Sequence, residues 1–592
     1  MSQNHIEYIS NSLGIKLQAV RNTLELLEGG ATIPFIARYR KEKTGSLDEV
    51  QVADIQKQCR KITELEARKA TIISSIEEQG KLSDDLKTRI LASYDANEIE
   101  DLYLPYKRKK KTKADVAREH GLEPLARMIM IQQRQDIVRQ SSKYINEYVR
   151  TSQDAINGAK DIMAEWMSED QDIREKLRVS FRKFAVIHSK VVIKKKIEAE
   201  KYQDYFDFQE SLHRCPSHRY LAILRGANED MLKIYLSVDD ERSMQMISRK
   251  YIRSYGQEAD LIAEAISDSY KRLIFPSIET QIINEFKEKA DDEAIRVFGE
   301  NLRQLLLAAP LGQKSVLAID PGFRTGCKVV ALDNNGDFLE YTTIFPHQPQ
   351  LFTTEAKEIL KNLVYKHQIK AIAIGNGTAS RETQILLESI NFDKKVDIYM
   401  VNESGASIYS ASEIAREEFP DKDITVRGAI SIGRRLMDPL AELVKIDAKS
   451  IGVGQYQHDV DQHLLKDSLD QTVSSAVNLV GVNLNTSSQH LLQYVSGIGP
   501  KIAKAITSYR NDKGPFKSRK ELLNVSGVGS KAFEQAAGFL RIPGAENPLD
   551  NSSVHPESYP VVTKMAKDLS RPVKDLIVAE KILAEIDLKK YI

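Results

Sequence analysis

One short phrase of glycine, hydroxyl and lysine residues occurs twice, thirty residues apart. Residues 495–501 read Val-Ser-Gly-Ile-Gly-Pro-Lys, and residues 525–531 read Val-Ser-Gly-Val-Gly-Ser-Lys; we call them the first and the second corner. Glycine permits the positive φ of a tight turn, and the amides that open the following helix lack backbone partners and can bind an anion. The corners therefore predict two helix-hairpin-helix motifs that hold the phosphates of a nucleic-acid backbone without reading its sequence.

Charge around the corners supports this prediction. Residues 491–541 carry a net charge of +6, whereas the whole chain carries only +1. The alternative is a pair of helical hairpins used only for packing or for protein contacts. The residues predicted to contact nucleic acid are the glycines of the corners and nearby basic side chains, namely Gly497, Gly499, Lys501, Lys504, Arg510, Lys517, Gly527, Gly529 and Lys531.

A change of pattern at residue 315 predicts an α/β domain. Short apolar stretches replace helical spacing, and an Asn-Asn-Gly hairpin signal lies at 334–336. Three meander strands followed by alternating helices and strands form the layout of an RNase H-like fold, and Asp-Pro-Gly after the first strand resembles its RuvC/YqgF branch. The predicted strands are 316–320, 327–332, 338–344, 371–374 and 396–401, with helices at 353–366 and 379–390.

This resemblance implies a possible nuclease site. In active members of the branch, carboxylates at strand ends hold two divalent metal ions that cleave phosphodiesters. The candidates for both metal binding and catalysis are Asp320, Glu403 and Asp438, with Mg²⁺ or Mn²⁺ as the metal if the site is active. Nucleases of this fold often carry an acid where Asn376 stands, and an amide adds no negative charge for a second metal. The alternative is a degenerate, retained fold that serves as a scaffold or a nucleic-acid platform.

The first three hundred residues read as helix after helix, which predicts a mainly α, multidomain protein whose helical scaffold carries the α/β domain. Six of the seven residues at 107–113 are basic, which suits either a solvated face or a nucleic-acid patch. Residues 114–126 resemble the first helix and turn of a helix-turn-helix. Residues 179–201 are also basic and fit either a helix or a strand, and a charged surface is favoured there over a phosphate contact.

Several stretches resemble the Tex family of bacterial transcription accessory proteins. They are the segment between the two corners, with Gly-Pro-Phe at 514–516, the apolar turn at 31–40 and the segment at 217–226. The resemblance implies a transcription accessory factor that binds RNA or DNA backbone and works near RNA polymerase. Tex proteins usually continue into an OB-fold RNA-binding domain, for which this sequence shows no strands. The sequence fits either a truncated chain or a natural short form of the family.

Composition excludes other classes of protein. With 85 basic and 84 acidic residues among 592, nucleic-acid contacts must come from local patches. Three well-separated cysteines fit a reducing compartment and no zinc knuckle. The first residues lack a signal-peptide core, and no apolar run approaches the ~18 residues of a membrane span. We therefore expect a cytoplasmic protein without a membrane partner, and the lack of a nucleotide-binding loop disfavours an ATP-driven motor.

The patterns together predict five segments and one function. The function is backbone-directed nucleic-acid binding in transcription, with a metal-dependent nuclease and a protein-interaction scaffold as alternatives. No cofactor is expected unless the carboxylates hold metal. The segments are a helical domain with the possible helix-turn-helix at 1–200, a helical scaffold at 201–312, the RNase H-like domain at 313–450, the tandem helix-hairpin-helix domain at 451–545 and a C-terminal helical segment at 546–592, with helices at 559–567 and 573–586.

Overall fold

The computed structural model describes residues 1–107, 110–578, 586–587 and 590–591. The basic run at 107–113 and the helix predicted at 573–586 therefore lie partly outside the described residues. The chain divides into two units, one formed by residues 57–294 and the other by residues 1–56 together with 295–592. The first 56 residues thus belong with the second half of the chain. The five-segment division is finer than these two units and stays a prediction.

Helices dominate the first half, and several begin at side-chain caps. Thr112 and Asp115 form a capping box, in which each side chain accepts from the backbone amide of the other. The α-helices are α1 (Gln3–Leu13), α2 (Leu17–Glu28), α3 (Ile33–Tyr39), α4 (Lys41–Thr44), α5 (Glu49–Glu77), α6 (Asp84–Ala92), α7 (Ala96–Tyr103), α8 (Lys113–Glu119), α9 (Glu123–Ile131), α10 (Ile137–Ser141), α11 (Ser152–Ser168), α12 (Gln171–Phe184), α13 (Ser217–Asn228), α14 (Asp240–Tyr251), α15 (Gln257–Asp268) and α16 (Phe275–Leu306).

Two helices joined by a tight turn, α8 and α9, occupy the segment that resembles a helix-turn-helix, and a DNA-binding motif there stays a prediction because plain helical hairpins contain the same elements. Gly121 takes φ 79° in the turn between them, and Ala117 is buried where α11 approaches, since a methyl group on Gly158 would lie 3.3 Å from its Cβ. Shorter helical pieces join the other elements of this half. They are 3₁₀ turns at Leu104–Tyr106, Ser142–Tyr144, Ile193–Lys195, Glu200–Tyr205 and Leu212–Arg214, and a π-helical turn at Ser269–Ile274.

A three-stranded sheet interrupts the helices, and the all-helical interpretation of this half was wrong there. Strands β1 (Val186–Val191), β2 (Asp207–Ser211) and β3 (Leu232–Ser237) are antiparallel, with β1 in the middle. The strand option for residues 179–201 is correct only for Val186–Val191, because the residues up to Phe184 belong to α12 and Ile193–Lys195 form a 3₁₀ turn. The sequence of β3 alternates apolar and polar residues with the period of a strand, and this signal was missed. The polar composition of β2 offers no comparable pattern.

The predicted α/β domain has five strands in the order β6-β5-β4-β7-β8. Strands β4 to β6 are antiparallel neighbours, whereas β7 and β8 run parallel to β4. The strands are β4 (Val316–Asp320), β5 (Cys327–Leu332), β6 (Phe338–Ile344), β7 (Ala371–Gly375) and β8 (Asp397–Val401), and the helices are α17 (Thr353–Lys366), α18 (Ser380–Glu388), α19 (Ala406–Ala411), α20 (Glu413–Glu418), α21 (Ile424–Met437) and α22 (Pro439–Leu443), followed by a 3₁₀ turn at Ala448–Ser450.

Both faces of this sheet are covered, which explains the continuous apolar sequence of β4. Leu317 and Ile319 face the cluster formed with α17 and α18, while Ala318 faces α21. A methyl group on Gly433 of α21 would lie 2.9 Å from the Cβ of Ala318. Glycine at this position therefore lets α21 lie close to the central strand β4, which ends at the candidate carboxylate Asp320.

The C-terminal region contains the two predicted hairpin motifs. Both β9 and β10 are short, and they pair in parallel. The elements are α23 (Gln462–Val480), β9 (Val482–Asn483), α24 (Gln489–Leu492), α25 (Pro500–Lys513), a 3₁₀ segment at Arg519–Asn524, α26 (Ser530–Ala537), β10 (Leu540–Arg541), 3₁₀ turns at Pro548–Asn551 and Pro556–Ser558, α27 (Tyr559–Asp568) and α28 (Val573–Val578). The helix before the second corner is thus 3₁₀ rather than α.

A buried arginine joins the second motif to the segment after β10. The side chain of Arg519 is 1% exposed, and its guanidinium donates to the carbonyl oxygens of Leu540, Ser552 and Val554. It also donates to the hydroxyl of Tyr559. A planar guanidinium can serve several acceptors at once, which a lysine ammonium on a flexible stem cannot reproduce. Arg519 therefore fixes the base of the second motif.

Replacing Arg519 with Met should lower the free energy of unfolding by at least about 3 kcal/mol, because several buried carbonyl groups lose their donor. Arg519→Lys should recover only part of the loss. Lys520→Met, an exposed neighbour, is the matched control and should stay within about 0.5 kcal/mol of wild type. Urea unfolding measures all three. Equal effects at 519 and 520 would contradict this assignment.

Candidate functional site

The two corners have the same backbone. Gly497 and Gly527 take φ 76° and 88°, and Gly499 and Gly529 take φ −91° and −88° with ψ 176° in both. The hydrogen bonds repeat as well. Each corner closes with an amide bonded to the carbonyl three residues earlier, Ile498 to Val495 in the first and Val528 to Val525 in the second. The sequence repeat is therefore a structural repeat with the same thirty-residue offset.

Each corner leads into a helix that no side chain caps. Gly499 is the N-cap of α25 and Gly529 is the N-cap of α26, and neither helix has a side-chain acceptor for its first amides. Pro500 lacks an amide hydrogen and suits the first position of α25. The amides of the first turn, from Lys501 in α25 and Ser530 in α26, cannot be satisfied within their own helices. These helix starts are suited to an anion.

Access differs between the two corners. In the first, Ser496 is buried, and a methyl group on Gly497 would lie 2.9 Å from the carbonyl oxygen of Ala532 in α26. The second corner is exposed at Gly527 and Gly529. At both N-cap glycines, Gly499 and Gly529, a methyl group would meet no atom within 4 Å. One side of the first corner thus packs on α26, while both helix starts face open space.

The N-terminal segment forms one edge of this region, which the sequence did not indicate. Gln535 of α26 donates from Nε2 to the carbonyl of Gly30, and its Oε1 accepts from the amide of Thr32. Thr32 also shares a hydrogen bond of 2.6 Å with Ser496 of the first corner. The ammonium of Lys531 lies beside Gly30, where an added methyl would come within 2.8 Å of Nζ. The loop between α2 and α3 therefore supports both corners.

The predicted basic residues divide into exposed lysines and a tethered arginine. Lys501, Lys504, Lys517 and Lys531 are exposed. Arg510 is partly buried, and its Nη1 donates to the carbonyl oxygens of Leu484 and Ser487, which precede α24, at 3.1 and 3.0 Å. Burial also lowers the pKa of Arg510. The lysines can reach a ligand, whereas Arg510 holds its own domain together.

The carboxylates of Asp320 and Glu403 meet at the end of the α/β sheet. Burial raises the pKa of Asp320 to about 6, and the negative charge of Glu403 adds to the effect, while Lys328 opposes it. The amide of Glu403 donates to Oδ1 of Asn376 at 3.1 Å. A methyl group on Gly377 would lie 1.9 Å from a carboxylate oxygen of Glu403. The two glycines on either side of Asn376, at 375 and 377, therefore make room for Glu403.

Asp438 does not join this pair, contrary to the proposed ligand set. A methyl group on Gly428 of α21 would lie 3.7 Å from Oδ2 of Asp320, so this part of the helix faces Asp320. Asp438 follows the C-terminal end of the same helix. Ten residues of helix span about 15 Å. Asp438 instead caps α22, accepting from the amide of Ala441 at 3.0 Å. Within the described ranges, no three His, Cys, Asp or Glu side chains are grouped to hold a metal ion, so the residues present do not fit a two-metal centre.

A buried arginine positions the loop that carries Glu403. Arg435 is 4% exposed and donates from Nη1 to the carbonyls of Asn402 and Ser404, at 2.9 and 2.7 Å. Burial lowers its pKa, although the charges of Glu442 and Glu403 oppose the effect. The side chain of Arg435 therefore fixes the loop at 402–404 through these two hydrogen bonds.

Comparison with known families gives five matches along the chain. They are the Tex-like protein N-terminal domain at residues 3–77, the Tex central region-like at 132–298, the Tex protein YqgF-like domain at 314–437, a helix-hairpin-helix motif at 477–541 and an HHH domain at 547–592. The fourth match contains both corners. The RNase H-like and hairpin regions predicted from the sequence are thus found in the expected order.

Individual relatives agree over almost the whole chain. The transcriptional accessory protein Tex of Neisseria gonorrhoeae is 46% identical over 585 residues, which cover 97% of this chain and 76% of that protein. Protein YhgF of Escherichia coli is 43% identical over 98% of this chain and 76% of its own length. The human S1 RNA-binding domain-containing protein 1 is 34% identical over 92% of this chain and 56% of its length. The chain belongs to the Tex family.

One further finding concerns membranes. Among the residues that the structure describes, no helix combines the length and the apolar character that crossing a bilayer requires.

The environments of the two positive-φ glycines predict different mutational effects. Gly527→Ala should cost about 1–2 kcal/mol, because only the left-handed backbone opposes a side chain there. Gly497→Ala should cost about 3 kcal/mol or more, because the methyl also collides with the backbone of α26. Thermal unfolding of the two variants measures the difference. Equal losses of stability would contradict the packing of the first corner on α26.

The raised pKa of Asp320 predicts a pH-dependent stability difference. The unfolded chain loses this proton near pH 4, whereas the folded protein keeps it to about pH 6. Wild type therefore loses stability as pH rises through this window, and Asp320→Asn does not. The variant should gain roughly 2 to 3 kcal/mol relative to wild type at pH 8, with no gain below pH 4. Urea unfolding across pH measures it, and a pH-independent difference would contradict the assignment.

Proposed function

We propose that this chain binds the sugar-phosphate backbone of nucleic acid through its two corners and does so without reading sequence. The observation that carries the proposal is the pair of matching backbone turns, each of which leads into an uncapped helix whose second residue is an exposed lysine. Amides at a helix start carry partial positive charge and suit phosphate oxygens. Contacts of this kind fix a strand in place but carry no sequence information.

The charge distribution supports a local contact rather than a uniformly basic coat. Phosphate neutralisation releases counterions, so the affinity should fall steeply as salt is added. Lys501, Lys504, Lys517 and Lys531 supply this positive charge in our proposal, together with the amides that follow Gly499 and Gly529. Backbone recognition suits both RNA and DNA, and the two ligands should therefore be compared in the same assay.

Family membership supports a role in transcription. The gonococcal relative is named a transcriptional accessory protein, and we extend this role to the present chain as a cytoplasmic factor that acts beside RNA polymerase. The human relative is named for an S1 RNA-binding domain. A polymerase contact should appear as co-purification from a lysate that survives nuclease treatment, because a contact through shared nucleic acid would be lost.

The nuclease alternative has less support. It needs three carboxylates around metal ions, and Asp438 lies at the other end of α21 from Asp320. We therefore propose the α/β domain as a support for the nucleic-acid contact. Incubation of single- and double-stranded substrates with Mn²⁺ tests this choice. Cleavage that Asp320→Ala abolishes would replace our proposal with the enzymatic function.

The open space beside the N-cap glycines provides a direct test. Gly499→Ala and Gly529→Ala should each lower the free energy of unfolding by no more than about 1 kcal/mol, the cost of alanine as the poorer N-cap, because both glycines have negative φ and a methyl group meets no atom within 4 Å. The added methyl would occupy the space through which a phosphate approaches the amides. The double variant should therefore bind a labelled oligonucleotide at least about tenfold more weakly, the value expected for one charge-assisted hydrogen bond.

Gly452→Ala is the matched control, since Gly452 is exposed and a methyl there makes only an ordinary contact of 3.6 Å with Ser404. It should bind as wild type does. Fluorescence anisotropy with single-stranded RNA and DNA measures all variants. Wild-type affinity in the folded double variant would reject the corners as the binding site.

A further inference from the structure

The three-stranded sheet of the first half has one buried and one open face. Strand residues alternate in burial, so Ile187 and Ser189 of β1 and Leu236 of β3 are buried. The neighbouring positions, among them Lys190, Lys233 and Tyr235, point to the other face and are exposed. The match to the Tex central region-like family covers this sheet but assigns its open face no role. Strand β1 and the lysines after it belong to the basic segment at 179–201.

Two stacked rings occupy the centre of the open face. His188 of β1 lies opposite Tyr235 of β3 in the register, with ring centroids 4.7 Å apart and planes at 1°. Nε2 of His188 shares a 2.7 Å hydrogen bond with the hydroxyl of Ser237, which holds the imidazole in place. Tyr235 is 39% exposed. Its outer side therefore offers a flat aromatic surface that is already oriented and needs little ordering to bind a second flat ring.

Unpaired positive charge lies next to the rings. Lys190 is directly opposite Lys233 across β1 and β3, an arrangement that destabilises a sheet unless an anion joins it. Three further lysines, at 194, 195 and 196, follow the same end of β1. No ion pair involves any of these five lysines within the part of the chain that the structure describes.

Acidic groups near the face balance this charge in number but lie around its edge. Asp207 of β2 lies opposite Lys190, Glu198, Glu200 and Asp204 follow the lysine turn, and Asp230 precedes β3. Lys201 is paired with Glu229 at 2.6 Å and is therefore unavailable. Ile193 and Ile197, which flank the three lysines, are 84% and 92% exposed. Five lysines and five acids thus surround the face, and the positive charge is concentrated at Lys190, Lys233 and the lysine turn, with aromatic and aliphatic side chains beside it.

We propose that this open sheet face binds single-stranded nucleic acid, with a base stacked on Tyr235 and the backbone held by Lys190, Lys233 and the lysine turn. Unpaired bases stack on aromatic side chains while basic side chains follow the phosphates. A duplex cannot occupy the face in this way, because its bases are already stacked on each other. A single strand therefore satisfies both the rings and the like-charge lysine pair.

The inference rests on the proposed function only for the class of ligand, and it concerns a different unit of the chain. The corners lie in the unit of residues 1–56 and 295–592, and the sheet lies in the unit of residues 57–294. The corners contact backbone alone, whereas the sheet face requires an exposed base. A preference for single strands over duplex is thus expected from the sheet and not from the corners.

Two sets of substitutions in the full chain test the sheet face. Tyr235→Ala should weaken the binding of a short fluorescein-labelled oligouridylate or oligothymidylate about five- to a hundredfold, the range measured for loss of one stacked base. Tyr235→Phe keeps the ring and should bind nearly as wild type does. Lys190→Glu with Lys233→Glu should reduce the slope of log affinity against log salt by about 1.4, for two single-strand phosphate contacts.

Lys61→Glu with Lys87→Glu is the matched control for charge, since both lysines are exposed on helices of the same unit. It should leave the slope near that of wild type. Photocrosslinking of wild type to an oligonucleotide that carries 5-iodouridine adds a site-specific readout, and the crosslinked peptide should contain Tyr235. Unfolding midpoints identify any variant that fails to fold, and the crosslink on wild type does not depend on a substitution.

The outcomes separate this inference from the proposed function. Loss of binding in the sheet variants, with the crosslink at Tyr235, supports the sheet face. Wild-type affinity and salt slope in the sheet variants, without a crosslink in β1 or β3, would overturn it, even if the Gly499→Ala and Gly529→Ala double variant loses affinity. Loss in the sheet variants alone would support the sheet face and reject the corners.

Discussion

The central feature of the structure is that the first backbone amides of two helices, α25 and α26, have no hydrogen-bond acceptor within their own helices. Glycine at positive φ turns the chain sharply at Gly497 and Gly527, and the helices that follow begin without a capping side chain. Serine, threonine or aspartate at the N-cap would stabilise each helix by about a few tenths of a kcal/mol more than glycine does. Glycine forgoes that gain and leaves the amides to an external anion. The surrounding contacts from Thr32, Gln535 and Arg519 keep the two turns in place.

The α/β domain shows how a fold can be kept while its metal chemistry is not supported. Glycines at 375 and 377 leave space for the carboxylate of Glu403, and Arg435 holds the loop that carries it. Burial raises the pKa of Asp320, and the negative charge of Glu403 adds to the effect. The third candidate, Asp438, caps α22 beyond the opposite end of α21, so two of the three candidate carboxylates are brought together.

The sequence predicted those features that are encoded locally. Strands β4, β5 and β6 and helix α17 begin and end at the predicted residues, because apolar stretches of strand length were separated by clear turn signals. The hairpin motifs were predicted from the repeat itself. What failed depended on long-range packing. No local signal could place Gly30 beside Lys531 or move Asp438 away from Asp320, and the polar strand β2 gains its pairing only from β1.

The central claim is that the first-turn amides of α25 and α26 bind phosphate directly. Amide hydrogen exchange, read at Lys501, Ile502, Lys531 and Ala532, tests it most directly in the full chain. These amides lack helical partners and should exchange fast in the free protein. Saturation with a single-stranded oligonucleotide should slow them, while the exposed helix start at α27 stays unchanged. Binding without added protection at these four amides would contradict the account.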